Sequence, residues 1–300
     1  MRTLIALLLA LSTLTACSAR DSVPAVTDEI RGEPAVEESL PAPVEEVIGY
    51  EVELQEISAV VSNDAGVQLV EYEYHVPVLW AVRADGSKIE EPRTPKEVEA
   101  LTVTDTFNAE FAAWAGEEYV LGLIGAAEEE LAFREEFEIP VENGLVYTER
   151  LNCQIYQTEQ LISIRGLYDT YTGGAHPNYV LLGWNFDLTT GDFFAAEALA
   201  ADSQEFSELV TAEIIRQAGE RAAGENMLPE EFFWENYEEV AANWGSYAVS
   251  FDETGMTVGY SPYEMACYAA GAQEFTLGYD LLRPVLSDHG LAVLQLDQTT

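Results

Sequence analysis

Apolar and polar positions alternate with a period of two over residues 50–61, YEVELQEISAVV, and again over 67–80, VQLVEYEYHVPVLW, with Asn63-Asp64-Ala65-Gly66 between them. This pattern predicts two strands joined by a turn, and Pro77, which has no N–H to give a ladder, marks an edge or a bulge. The period then changes. Phe107, Phe111, Trp114 and Leu121 recur at helical spacing, with Asp105 placed as an N-cap, while Gly116, Gly122 and Gly125 argue against one unbroken helix. Strand periodicity returns over 146–157, 159–171 and 179–188. In the last of these Val180, Leu182, Trp184, Phe186 and Leu188 share one face, and Asn185 and Asp187 point away. Thr189-Thr190-Gly191-Asp192 is the next turn. Asp202 and Glu205 then have the spacing of a capping box, opening a helix whose Phe206, Leu209, Val210, Ile214 and Ala218 line one side. Strands at 246–251, 256–260 and 275–279 close the chain. Strands that cluster around long helices, without strict alternation and without an internal repeat, predict an α+β fold of antiparallel sheets packed with one or two long helices. The expected organisation is two sequential small modules, 48–140 and 141–290, followed by a tail at 291–300.

The first 47 residues follow another pattern. Arg2 precedes an apolar run from Leu4 to Leu14, too short to span a bilayer comfortably, and Leu14-Thr15-Ala16-Cys17 follows. Small residues before a cysteine resemble the bacterial lipobox. That resemblance implies a lipoprotein signal peptide at 1–16 and a diacylglyceryl group on Cys17. Residues 17–47 carry Pro24, Pro34, Pro41 and Pro43, many acids and no aromatic, so they cannot bury enough apolar surface to offset their chain entropy. They read as a lipidated acidic tether, and the expected location is the bacterial cell envelope, outside the cytoplasm. With Cys17 assigned to lipid, Cys153 and Cys267 remain in an oxidising compartment. A disulfide between them is the leading expectation and two separate buried thiols the alternative.

Charge narrows the partners. The chain has 13 Lys+Arg against 54 Asp+Glu, a net charge of −41 at pH 7. Nucleic acid and bare anionic membrane are excluded as partners, because such a field repels phosphate. Basic proteins and divalent cations are what it attracts, although acidity also serves solubility alone.

Candidate chemistry concentrates at Tyr171, Thr172, Gly173, Gly174, Ala175, His176, Pro177 and Asn178, the stretch YTGGAHPN between two strands. The two glycines permit a sharp turn and Pro177 fixes its exit. A catalytic use of His176 needs a nucleophile or metal partner, and His75 and His289 lie far off in sequence. The chain contains no HExxH, GxSxG, Walker loop or CxxC. A binding loop, a structural turn and a catalytic loop therefore remain as readings, with binding ahead, and no enzyme activity, cofactor or metal is expected. WENYEEVAANW (234–244) reads either as an aromatic sugar platform or, preferred, as a buried helical face.

The order strand, YTGGAHPN, strand with NFDLTTGDFF, capped amphipathic helix, then YSPYEMACYAAGAQEFTLGYDLL resembles the extracytoplasmic domain of the RsiV anti-sigma factors over residues 145–286. That module is also found beside PdaC-type deacetylase domains. Residues 48–140 are more weakly similar to the smaller module that precedes it. The resemblance implies a ligand-binding ectodomain, with lysozyme as the basic protein to try, and points to the loop residues with Tyr263 and Tyr268 as the binding surface. Cys267 stands where that family has proline. The cytoplasmic segment, membrane helix and deacetylase domain of those relatives have no counterpart in this sequence, which leaves cell-wall glycan or peptide binding as the other functional class.

Replacing Cys17 by Ala is expected to release the protein from the membrane fraction and abolish its lipid labelling, which cell fractionation and metabolic labelling read directly.

Overall fold

In a computed structural model of the chain, the described residues are 48–115, 118–141 and 147–296. The expected signal segment and tether, with Cys17, lie outside them. In chain order the elements are β1 (Ile48–Ser62), β2 (Gln68–Arg83), α1 (Pro95–Phe111), α2 (Glu118–Glu136), β3 (Tyr147–Gln157), β4 (Leu161–Tyr171), β5 (Asn178–Asp187), β6 (Asp192–Phe193), α3 (Ser203–Gly224), α4 (Pro229–Phe232), α5 (Tyr237–Ala242), β7 (Ala248–Phe251), β8 (Gly255–Tyr260), β9 (Gln273–Gly278), α6 (Tyr279–Leu282) and α7 (Asp288–Val293). The α+β class expected from the sequence holds. Strands β1 to β6 form one sheet in sequence order, and β7-β8-β9 form a second, antiparallel one.

One pairing departs from an all-antiparallel expectation: β2 runs parallel to β3, with Val70 opposite Tyr147 and Tyr74 opposite Leu151. A parallel pair needs a crossover, and α1 and α2 supply it. They cover the sheet face that carries Tyr74, Leu151, Ile164 and Phe186, against which Phe107, Phe111 and Trp114 pack. The sequence placed the start of this helix too late. Thr94 is the N-cap, its hydroxyl accepting from the Glu97 N–H, so Asp105 lies in mid-helix. The helix breaks into a 3₁₀ turn at Ala112–Ala115, and Leu121, on the restarted helix, is exposed. Glu97 is buried beneath Arg83 at 2.5 Å. The bond from that guanidinium, and a second from the Arg93 N–H, hold its carboxyl below the usual range.

Where β3 diverges from β2, side chains replace it. Asn108 of α1 accepts from the Leu79 N–H at 2.8 Å and donates to the Leu79 C=O at 3.1 Å. Pro77 lies in this stretch of β2, beyond the last residue paired with β3. A proline is tolerated there because no sheet partner needs its missing N–H.

The opposite face of β4 and β5 carries the second sheet. Asn185 and Asp187 point away from the apolar face as expected, yet they are buried. Strand β7 stands edge-on against them. Asn185 donates to the Val249 C=O at 2.9 Å, the Ser163 hydroxyl accepts from the Phe251 N–H at 2.7 Å, and Ser163 donates to Asn185 at 2.7 Å. Gly183 makes room for this: a Cβ there would lie 2.4 Å from the Val249 oxygen. Beyond β7, the apolar face of the second sheet (Val249, Phe251, Met256, Val258, Phe275, Leu277) packs on Phe206, Val210, Ile214 and Ala218 of α3. Asp202 caps that helix through the N–H groups of Gln204 and Glu205.

Asn185→Ala leaves the Val249 carbonyl and the Ser163 hydroxyl without their partner, at about 1–3 kcal/mol for each buried polar group. It is expected to lower the unfolding free energy by about 2–4 kcal/mol, and Gly183→Ala by about 1–3 kcal/mol through overpacking. Urea unfolding midpoints check both. The double variant should cost less than the sum, because both changes loosen the same contact.

Candidate functional site

The loop that joins β4 to β5 turns through Gly173 (φ 92°) and Gly174 (φ 98°), which is left-handed backbone that a side chain would strain. Tyr171, the last residue of β4, donates its hydroxyl to the Gly174 C=O at 3.1 Å and ties the turn to the strand. The tip is then fixed from outside. The imidazole of His176 lies flat on the ring of Tyr268, with centroids 3.7 Å apart and planes 17° apart. The Tyr268 hydroxyl donates to the Pro177 C=O at 2.6 Å, and His176 Nδ1 lies 2.9 Å from the same oxygen. The loop and the tyrosines singled out in the sequence are thus brought together, although Pro177 and Tyr268 are 91 residues apart.

Segment 261–272, between β8 and β9, holds the other half. Its first residue, Ser261, accepts the Leu181 N–H of β5 at 3.1 Å, and the Ala272 N–H donates to the Tyr179 hydroxyl at 3.0 Å. Tyr263 leans toward Tyr268, with centroids 5.6 Å apart. The residue is 56% exposed, and its backbone sits at φ 72°, left-handed in a residue that is not glycine. Its carbonyl accepts the indole N–H of Trp234 at 3.1 Å. Burial, followed by the neighbouring Tyr179 and Tyr263, raises the pKa of the Tyr268 hydroxyl above the ordinary tyrosine value.

Trp234 is a surface residue that its spacing in the sequence does not reveal. Of the aromatics in WENYEEVAANW, Tyr237 and Trp244 are core, as the preferred reading had it, but Trp234 is 40% exposed beside Tyr263. Helical spacing suggested a buried face. In fact Trp234 lies between two short helices, where spacing says nothing about direction.

The other histidines lie elsewhere. His75 is on β2 next to Glu73, and His289 on α7 donates from Nε2 to the buried Asp187 at 2.9 Å. Among the described residues no group of three or more His, Cys, Asp and Glu is placed to hold a metal ion. A cavity of about 560 Å³ lies against α2, lined by Val67, Leu131 and Ile139 among others, and shares no residue with the loop. The candidate site is therefore a presented surface of rings.

The expected Cys153–Cys267 bridge is absent: both thiols are free, Cys153 buried and Cys267 exposed. The cause is placement. Cys153 packs with Leu151 and Ile164 on the helix-covered face of the first sheet, whereas Cys267 belongs to the segment bonded to Tyr179 and Leu181 on the other side. A disulfide needs Cα atoms within about 7 Å, and the sheet lies between.

A two-sheet α+β protein with a ring-lined loop surface is the class these features define. Residues 191–280 match the family model DUF3298, described as a protein of unknown function. That span includes Tyr263 and Tyr268 and stops short of the loop at 171–178. A crystal structure of a DUF3298 family member from Bacteroides fragilis is similar at 15% identity, with a TM-score of 0.53, over 85% of this chain and 99% of that one. A DUF3298 family protein from Pseudomonas aeruginosa is similar at 14% identity, with a TM-score of 0.45, over 80% of this chain and 95% of that one. The first likeness shows the fold. No curated protein matches the chain.

Burial pushes the Cys153 thiol up to about 12, so it is almost entirely protonated at pH 8. Iodoacetamide at pH 8 is expected to label Cys267 in the native protein and to reach Cys153 only after denaturation, without reductant. Peptide mass spectrometry distinguishes this from a bridged pair, which would label at neither position.

Proposed function

We propose that this chain is a lipid-anchored, extracytoplasmic binding protein without catalytic activity, and that it captures a basic protein on the surface formed by loop 171–178, Tyr263, Tyr268 and Trp234. The observation that carries this reading is the His176–Tyr268 stack, which ties two distant segments into one fixed, exposed patch of rings. Rigid aromatics at low entropic cost are what binding hot spots use. The strained backbone of Tyr263 supports it too: a left-handed non-glycine costs about 1–3 kcal/mol and persists where a side chain's position is worth holding. The charge of −41 adds long-range attraction for a cationic partner, acting mostly on the association rate. The sequence resemblance to RsiV makes lysozyme the first partner to test. Exposed Tyr and Trp faces also suit stacking on a glycan, the second reading, and salt separates the two because it screens charge and leaves stacking untouched.

Lysozyme binding by the full chain is expected to weaken as salt rises. Trp234→Ala or His176→Ala should each cost about 2 kcal/mol of affinity, roughly thirtyfold. Tyr263→Gly is the sharper variant: it removes the ring and relieves the backbone strain, so affinity should fall while thermal stability does not. Calorimetric titration and melting curves give both readings. Salt-independent binding to peptidoglycan fragments, lost in the same variants, would transfer the site to a glycan. Full affinity in all three variants would remove it from this surface.

A further inference from the structure

Most strand edges in this fold are closed by side chains. The edge of β7 is closed by Ser163 and Asn185. That of β9 is closed by α3, from which Arg221 donates to the Glu274 C=O at 2.6 Å and Gln217 to the Thr276 C=O at 2.9 Å. Asn108 closes β2 at Leu79, and β6, the far edge of the first sheet, is two residues long. Among the described residues, the outer edge of β1 is closed only at its start, where Gln157 accepts from the Val52 N–H at 3.2 Å and donates to the Tyr50 C=O at 2.7 Å.

These two bonds fix the phase of the strand. Residues 50 and 52 direct their backbone groups away from β2, so by the two-residue period Leu54, Glu56, Ser58 and Val60 do so as well, before the register shifts at Val61/Ser62. Among the described residues nothing bonds these outward groups. Leu54 is 43% and Val60 53% exposed. The stretch from Leu54 to Ser62 also has no proline, lysine or arginine to discourage pairing.

The two faces beside this edge differ. On one, Ile57, Ala59 and Val61 sit opposite Tyr74, Tyr72 and Val70, an apolar row. On the other, Leu54, Glu56, Ser58 and Val60 sit opposite Pro77, His75, Glu73 and Glu71, so three carboxylates share this face with His75 and two exposed apolar side chains. A strand added here would set alternate side chains on each.

We infer that the outer edge of β1 from Leu54 to Val60 is a strand-addition site for an extended segment of a partner, with Lys or Arg at every second position and apolar residues between. A second copy of this chain is the poorer occupant, because each copy carries a charge of −41 and would bring its own carboxylates to the same rows. The site is separate from the loop surface and does not depend on it.

The test uses the full chain and a synthetic peptide of alternating lysine and valine. In the free protein the amides of Leu54, Glu56, Ser58 and Val60 should exchange quickly with deuterium, and saturating peptide should slow all four. Ser58→Pro removes only an outward N–H, so the β1–β2 ladder survives, and affinity should drop at least about tenfold while Ser58→Ala stays within about twofold. A peptide with proline at every valine position keeps the charge and cannot add as a strand. If it binds equally well, attraction is charge alone and the proposal fails. Slow exchange at these amides in the free monomer, or no slowing at saturation, also overturns it. If they are slow because the chain dimerises without peptide, the edge belongs to a second copy. The exchange measurement on the wild-type chain decides even where a variant does not fold.

Discussion

The edge of β7 set against the face of β4 and β5 is the contact on which the rest of this architecture depends. A sheet edge is a row of unpaired backbone donors and acceptors, and burying it against another sheet's face would normally leave them without partners. Here Ser163 and Asn185, opposite each other on neighbouring strands, supply a donor and an acceptor at the required positions, and Gly183 removes the side chain that would hold β7 away. The α3 core rests on the second sheet, and the segment carrying Tyr263 and Tyr268 leaves from the end of β8. The polar patch at β7 sets where that segment starts, and its bonds to Leu181, Tyr179 and Pro177 hold it over the β4–β5 loop.

That patch explains the limits of what could be read from the sequence. The alternation of Val180 to Leu188 gave the direction of each side chain correctly. It could not show that the polar face of the strand is also buried, because polar residues are the usual mark of solvent and only a tertiary partner makes them interior. The same limit applies to Cys153 and Cys267. Two cysteines and an expected oxidising location suggest a bridge, but a disulfide is decided by which side of a sheet each occupies. The loop fared better: glycines with positive φ, a proline exit and flanking strands are local features, and local features survive folding. Trp234 was lost among core aromatics because its helix ends before it.

Electrostatics follow from how few cations the chain has. Arg83 is held by Glu97, Arg165 by Glu274, Lys88 by Glu53, and Arg216 by Glu213 and Glu220. Arg221 reaches over β9 to a backbone carbonyl, and burial lowers its pKa from the ordinary arginine value. Much of the positive charge is thus committed to internal contacts, and carboxylates in excess face outward. The exposed pairs among these contribute little to stability one by one. Their larger effect is to use up the groups that could have offset the acidic field.

Such a field makes the chemistry of the two exposed features converge. Rings in a negative environment favour a cation over their faces, since the ring quadrupole and the surrounding carboxylates attract the same charge. An open strand edge with Glu56, Glu71 and Glu73 on one face favours a strand that brings cations to that face. In both cases the attraction is unspecific and the geometry is selective: the stacked His176 and Tyr268 fix where rings are presented, and the phase of β1 fixes which backbone groups point outward. Charge alone would admit any polycation. On the reading proposed here, it is the fixed geometry, set in one case by the His176–Tyr268 stack and in the other by Gln157, that selects among basic partners.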